Sequence, residues 1–183
     1  ELVAEAMDGG WTAAAGPFSR IAEQLLSDAH DGAAVLLCTS CTGALELAAM
    51  TLGIGPGDVV AVPSFTFPST ASAFARTGAR LRFIDIDPNT LGMDADHLAD
   101  QLDHRVKAVV PVHYAGRQAS IEAVCAAADR VGAQVVEDNA HGMFGAHGGK
   151  ALGTFGSMST LSFHETKNFI CGEGGALVIN DRS

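Results

Sequence analysis

Near the C-terminal end of the sequence a single lysine, Lys167, lies between an apolar run, Met158 to Phe163, and a glycine cluster, Gly172-Glu173-Gly174-Gly175, that leads into a second apolar run, Ala176 to Ile179. A lysine on an ordinary surface loop is a solvated charge. Held where strand ends meet a glycine-permitted close approach of backbone, it can be desolvated, lose its proton and act as an amine nucleophile. Three upstream segments carry groups that complement such an amine. Ser40-Cys41-Thr42-Gly43 follows an apolar run and opens a helical pattern, so the free amides of a first helical turn and the Thr42 hydroxyl can either hold a phosphate or simply cap the helix. A helix terminus favours an anion by roughly 0.3 to 2 kcal/mol, which contributes without deciding. Pro63-Ser64-Phe65-Thr66-Phe67-Pro68 brings two aromatics together in a chain that is only 6% aromatic. One of them could stack on a planar ring, and because alternate residues face opposite ways, core packing is the favoured reading of Phe65. Glu137-Asp138-Asn139-Ala140-His141 ends another apolar run. Asp138 there could pair with a protonated ring nitrogen, with an attraction of about 4 kcal/mol at about 4 Å and an effective dielectric near 20, enough to raise that nitrogen's pKa by up to roughly three units. Asp138 serves equally well as a cap, and His141 as a satisfied core residue.

The elements that must position these groups follow from periodicity. Helical spacing of Phe18, Ile21, Ala22, Leu25, Leu26 and Ala29 after Gly16-Pro17 predicts an amphipathic helix. Further helices are predicted from Thr42 to Leu52, closed by Gly53, from Ser69 to Arg76, from Asp94 to Leu102, and from Ser120 to Val131 with Ile121, Val124, Cys125, Ala128 and Val131 on one face. Short apolar runs predict strands at Ala34 to Cys38, Val59 to Val62, Arg80 to Ile84, Ala108 to Val112 and Gln134 to Glu137, and the two runs bracketing Lys167 complete the set. Residues 139–156 read as a glycine-rich loop. Alternating strands and helices imply an α/β fold, a mostly parallel sheet with helices on both faces, with ligands beyond the carboxyl ends of the strands.

Composition bounds the function. With 183 residues and 48% hydrophobic content the chain is one domain able to bury a core, and without repeats or linkers it reads as such over 1–183. The net charge of −10 and the absence of a Lys/Arg cluster argue against nucleic acid as a partner. No apolar run reaches the ~18 residues of a membrane span and the start lacks signal-peptide character, so a soluble cytoplasmic protein without membrane association is expected. The chain opens without Met and stops just after an apolar strand, and is read as an incomplete piece of a longer protein. Cys38-x-x-Cys41 lacks the second half of a zinc site, and buried reduced cysteine is the expectation, with no metal. Gly148-Gly149-Lys150 lacks the rest of a P-loop, and no Gly-x-Gly-x-x-Gly follows a strand.

A phosphate cradle, a ring-stacking aromatic, a carboxylate for a pyridinium nitrogen and a lysine for an aldehyde are together the contacts that pyridoxal 5'-phosphate requires. From Gly10-Trp11 and Gly16-Pro17-Phe18 to Asn180-Asp181 the sequence resembles the DegT-type nucleotide-sugar aminotransferases, of the aspartate-aminotransferase-like fold group. Through Pro63 to Phe67, Pro111-Val112-His113-Tyr114-Ala115-Gly116 and especially Ser162-Phe163-His164-Glu165-Thr166-Lys167-Asn168, it is most similar to the dTDP-4-amino-4,6-dideoxygalactose transaminase subgroup. The resemblance implies that Lys167 forms the imine with the cofactor, that Asp138 partners the pyridine nitrogen, that Thr42, Gly43 and Ser162 contact the phosphate, that Phe67 stacks on the ring, and that His141 lies near the phenolic oxygen. Gly43 and Asn139 stand where alanine is frequent in the family. Lysine at 167, where a related dehydrating subgroup has histidine, favours transamination. The resemblance also implies amino-acid and nucleotide-sugar substrates, L-glutamate as donor, and a homodimer or larger assembly with the site at the subunit interface, while a non-catalytic regulator or paired subunit of the same fold is the alternative.

Overall fold

The computed structural model describes residues 1–180; Asp181, where the sequence resemblance ends, lies outside them. The β-branched and leucine-rich runs form seven strands: β1 (Ala34–Cys38), β2 (Val59–Pro63), β3 (Arg80–Ile84), β4 (Val106–Val109), β5 (Gln134–Asp138), β8 (Met158–Ser162) and β9 (Gly175–Ile179). They make one sheet in the order β1-β9-β8-β5-β4-β2-β3. The pairs β2/β3, β2/β4, β4/β5 and β5/β8 are parallel, whereas β9 is antiparallel to both β1 and β8. The exception has a plain cause. Parallel neighbours are reached by long connections that carry the chain back along the sheet, helical before β2, β3, β4 and β5 and the segment 139–157 between β5 and β8, whereas the loop 163–174 turns the chain straight back from β8 into β9, and the two pair antiparallel.

Helices cover both faces of this mostly parallel sheet. On one face α3 (Cys41–Thr51) and α4 (Pro68–Ala75) set Leu45, Ala48 and Phe74 over Val60, Val62, Val136 and Leu177. On the other, α5 (Ala95–Gln101) and α6 (Ile121–Asp129) set Leu98, Ile121 and Val124 over Val59, Ala61, Val109 and Val135, and α2 (Pro17–Asp28) brings Leu26 to Leu161, Ala176 and Val178. The alternation of partners along β2, β5 and β9 is the two-residue period of a strand buried on both sides. Gly53, at φ 61°, closes α3 by donating its N–H to Met50 while Ile54 N–H reaches Ala49.

Four features differ from the sequence reading. A short helix, α1 (Leu2–Asp8), precedes α2 and buries none of its residues, so no packed face marks it in the sequence. The α2 stripe is buried only at Leu26, with Ile21 and Leu25 exposed, because β1, which it covers, is an edge strand. Within residues 139–156 a small hairpin forms, β6 (Ala146–His147) with β7 (Lys150–Ala151), turning at Gly148 and Gly149, both with positive φ. The strand expected over Ala108 to Val112 runs from Val106 to Val109, and Val112 makes only a single bridge to Asp138.

Candidate active site

The carboxyl ends of β1, β2, β5 and β8 open into one cavity of about 330 Å³, lined by residues of the predicted set: Thr42, Phe67, Asp138, His141, Ser162 and Lys167. That volume lies in the range of small-molecule sites. Gly43, also in that set, does not line it. Its N–H is donated to the Oγ of Ser40, the N-cap of α3, at 3.1 Å, so the cavity meets the helix start through Ser40, Cys41 and Thr42 instead. An alanine Cβ at 43 would meet only Ser40 Oγ at 3.6 Å and Thr39 Oγ1 at 3.8 Å, ordinary contacts.

Asp138 is the last residue of β5 and is 4% exposed. Its backbone is fixed by bonds from its N–H to Pro111 O (2.8 Å) and from His113 N–H to its carbonyl (3.1 Å). Its Oδ2 accepts the Thr70 hydroxyl at 2.6 Å and its Oδ1 the Ala140 N–H at 3.2 Å. Because Thr70 spends its proton on Asp138, the Thr66 hydroxyl, 2.7 Å away, donates to Thr70. A carboxylate has about four acceptor positions, and two of them remain for a donor in the cavity.

Lys167 rides on the loop 163–174. The neck of that loop is closed by Phe163 N–H to Gly174 O, Cys171 N–H to Phe163 O and Glu165 N–H to Gly172 O, and Lys167 N–H donates to His164 O at 2.9 Å. Asn168 Nδ2 ties the loop to Met143 O at 2.7 Å, and Phe169 packs edge-on against Phe144 and Phe163. The close approach expected of the glycine cluster is real at Gly175, where a Cβ would fall 2.4 Å from both Ser40 C and Cys41 N. Glycine there lets the start of β9 touch the start of α3, which brings the lysine loop beside the helix terminus.

His141 accepts the Ala115 N–H at Nδ1 (3.2 Å) and meets Tyr114 edge-on at 5.2 Å. Burial and the nearby Lys167 charge lower its pKa below the usual 6.5, against the opposing pull of Asp138. Burial first, and the Asp138 charge second, push the Cys41 thiol far up, while its Sγ contacts Thr160 Oγ1 at 3.4 Å. Burial also raises Cys38. Neither cysteine is in a disulfide, but both are only partly buried, which corrects the buried reading: β1, which Cys38 ends, is an edge strand.

Phe65 corrects the sequence reading. It is 44% exposed and stacks obliquely on Tyr114 at 4.8 Å, because β2 ends at Pro63 and strand alternation no longer dictates where residue 65 points. Phe67, 69% exposed, is the N-cap of α4 and borders the cavity. Tyr114, Thr66, Thr70, His164 and Glu173 went unassigned in the sequence. Tyr114 and His164 lie within motifs that carry the resemblance, but Thr70 offers no local signal, since its partner is 68 positions away.

Behind the site, on the opposite face of β5, Glu137 is fully buried. It accepts N–H bonds from Phe155 and Gly156 on Oε1 (2.7 Å each), and from Gly153 (2.9 Å) and His113 Nε2 (2.7 Å) on Oε2. It thereby fastens the end of the 139–156 segment to the strand that carries Asp138.

A lysine, a buried carboxylate and a helix N-terminus converge at the carboxyl ends of a mostly parallel sheet, where α/β proteins bind their ligands, and the α/β fold is that of aminotransferases of known structure. The model of the DegT/DnrJ/EryC1/StrS aminotransferase family matches residues 1–183, and the chain belongs to that family. It is 38% identical over 179 residues to the spore coat polysaccharide biosynthesis protein SpsC of Bacillus subtilis, covering 98% of this chain and 46% of SpsC. Among solved structures, it is similar to the aminotransferase TlmJ of Streptoalloteichus hindustanus (TM-score 0.92, 37% identity, covering 98% of this chain and 49% of TlmJ). It is also similar to NtdA of Bacillus subtilis, solved with bound cofactor PMP (TM-score 0.90, 29% identity, covering 98% of this chain and 40% of NtdA). The chain thus spans less than half the length of each. Among the described residues no helix is long and apolar enough to cross a membrane.

Proposed function

We propose that the protein containing this chain is a pyridoxal phosphate-dependent aminotransferase that moves an amino group from an amino acid, L-glutamate, to a keto sugar of a nucleoside diphosphate sugar. The observation that carries this reading is the placement of Lys167 and Asp138 on the walls of one cavity whose third wall is the start of α3. The residues present fit the cofactor. Asp138 keeps acceptor capacity free and is shielded from water, Thr42 and Ser162 line the cavity with hydroxyls that a phosphate would need, and Phe67 offers a ring at its border.

When bound, the cofactor supplies an electron sink for the carbon that loses and regains a proton. This chain's own residues then act as follows. Lys167, on the cavity wall, would hold the cofactor through its Nζ and, as a free amine, would be the group that takes up and returns the proton at the reacting carbon. Asp138, whose carboxylate Thr70 and Ala140 hold in place, would keep a pyridine nitrogen protonated. The first amides of α3 and the hydroxyls of Thr42 and Ser162 would anchor the phosphate. The narrower assignment, to the dTDP-4-amino-4,6-dideoxygalactose transaminase subgroup, rests on the 162–168 motif, and a homodimer with the site at its interface is proposed with it.

The test uses the full-length protein loaded with pyridoxal phosphate. The reading expects a visible absorption band that L-glutamate bleaches and that a keto nucleotide sugar, chosen from a panel, restores with formation of the amino sugar. A band that never responds to any amino acid marks a binding protein without transaminase activity, and no band at all overturns the cofactor assignment.

A further inference from the structure

The turn Tyr114–Gly116 meets His141 through the Ala115 N–H and the Tyr114 ring, and its backbone is strained at Ala115. Ala115 has φ 54° and ψ 27° within the turn, a left-handed conformation that a residue with a Cβ adopts only when its surroundings require it. In that conformation its N–H meets Nδ1 of His141 at 3.2 Å. A main-chain amide can only donate, so Nδ1 is the acceptor and the ring proton sits on Nε2. The Tyr114 ring stands at 75° to the imidazole, 5.2 Å away, and is backed by Phe65 at 4.8 Å, which fixes the plane of the histidine. At Gly116, φ 74°, a Cβ would lie 3.2 Å from the His141 carbonyl oxygen, so the turn also lies close against the backbone of residue 141.

We propose that the Tyr114–Gly116 turn is a positioning device that holds His141 in its Nε2–H tautomer, making the ring a neutral hydrogen-bond donor to the cavity. The ligand atom set against His141 must then be an acceptor. The charged groups around the ring are consistent with this. Lys167 and Asp138 pull its titration in opposite directions, and burial adds to the Lys167 effect, so the ring stays neutral near pH 7. His164 and Glu173 border the same cavity. The tautomer assignment stands on the contacts of this chain alone, and only the identity of the acceptor, the phenolic oxygen of pyridoxal phosphate, rests on the function proposed above.

The experiment is nitrogen NMR of the full-length protein labelled with 15N-histidine, free and with pyridoxal phosphate, with His141 assigned by its loss in His141→Gln. The expected spectrum at pH 7 has Nδ1 unprotonated and Nε2 protonated, both without and with the cofactor. A hydrogen bond of ordinary net strength biases the two tautomers by about threefold to tenfold. Tyr114→Ala, which frees the turn, is expected to remove most of that bias, while Tyr114→Phe keeps the ring and the bias. Binding provides a second readout. His141→Gln, which can accept from Ala115 and still donate, is expected to bind pyridoxal phosphate about tenfold more tightly than His141→Glu, which has no proton to give.

An Nδ1–H tautomer or an imidazolium at pH 7 in the unaltered protein overturns the proposal, as does a tautomer ratio that Tyr114→Ala leaves unchanged. Should Tyr114→Ala fail to fold, the spectrum of the unaltered protein decides. If the tautomer is as stated and pyridoxal phosphate does not bind, the inference stands and the function proposed above falls.

Discussion

Replacing Glu137 by glutamine keeps the shape of the side chain and removes one acceptor atom, and the structure says what that must cost. Four N–H groups converge on the buried carboxylate: Phe155 and Gly156 on one oxygen, Gly153 and His113 on the other. His113 cannot adapt by offering a lone pair at Nε2 without giving up the Ala119 N–H that its Nδ1 accepts at 3.3 Å. Whichever way the amide of Glu137→Gln is turned, its NH₂ faces two donors. Two hydrogen bonds to a charged acceptor disappear, at roughly 1.5 to 3 kcal/mol each, and partial relaxation brings the net destabilisation to about 4 kcal/mol. That is a large fraction of the roughly 5 to 15 kcal/mol that holds a domain folded. With a urea slope of about 2 to 3 kcal/mol/M, the unfolding midpoint falls by about 1.3 to 2 M with no change in slope. The assay is urea unfolding of the intact protein followed by circular dichroism. A midpoint shift smaller than about 0.3 M would refute the claim that this carboxylate fastens residues 152–156 to β5.

Asp138→Asn is expected to leave cofactor binding measurable while lowering turnover by about 10²-fold or more, a typical loss when an electrostatic partner of the reacting system is removed; steady-state kinetics beside a pyridoxal phosphate titration separates the two effects. Gly175→Ala places a Cβ 2.4 Å from the backbone at Ser40 and Cys41, and such overpacking is expected to cost roughly 1 to 3 kcal/mol or more. A lower melting temperature together with weaker cofactor binding checks it. For His141 the folded pKa lies below 6.5, so the unfolded chain binds the proton more readily. Its contribution to stability is therefore present above pH 6.5 and is lost as the pH falls from there through the folded value. Comparing unfolding midpoints across that window for the unaltered protein and His141→Gln should show a smaller acid loss in the variant.

Asp138, Lys167 and Thr42 were legible because each follows the end of an apolar run, and in a mostly parallel sheet such ends lie on the same edge, whereas Ser162, inside its run, came only with the resemblance. Gly175 was legible as well, since a glycine pair between a lysine loop and a strand signals close backbone approach. What escaped depends on neighbours far along the chain. Thr70 matters only because α4 crosses the end of β5, and nothing near residue 70 says so. The direction of Phe65 could not be read from alternation, because the strand that enforces alternation had already ended at Pro63. The strained Ala115 looks like any alanine until its N–H is seen against His141. The placement of β9 between β1 and β8 needs the whole sheet, although its antiparallel sense follows from the loop 163–174 that turns the chain straight back from β8.

Trapping the amine itself tests the central claim most directly. The sequence contains three lysines, Lys107, Lys150 and Lys167, and only Lys167 borders the cavity with Asp138. Treating the full-length protein with stoichiometric pyridoxal phosphate, reducing it with borohydride and mapping the peptides is expected to place the label on Lys167 and to leave Lys167→Ala unlabelled at the same stoichiometry. Label spread evenly over Lys107, Lys150 and Lys167, or undiminished in the variant, would contradict the assignment.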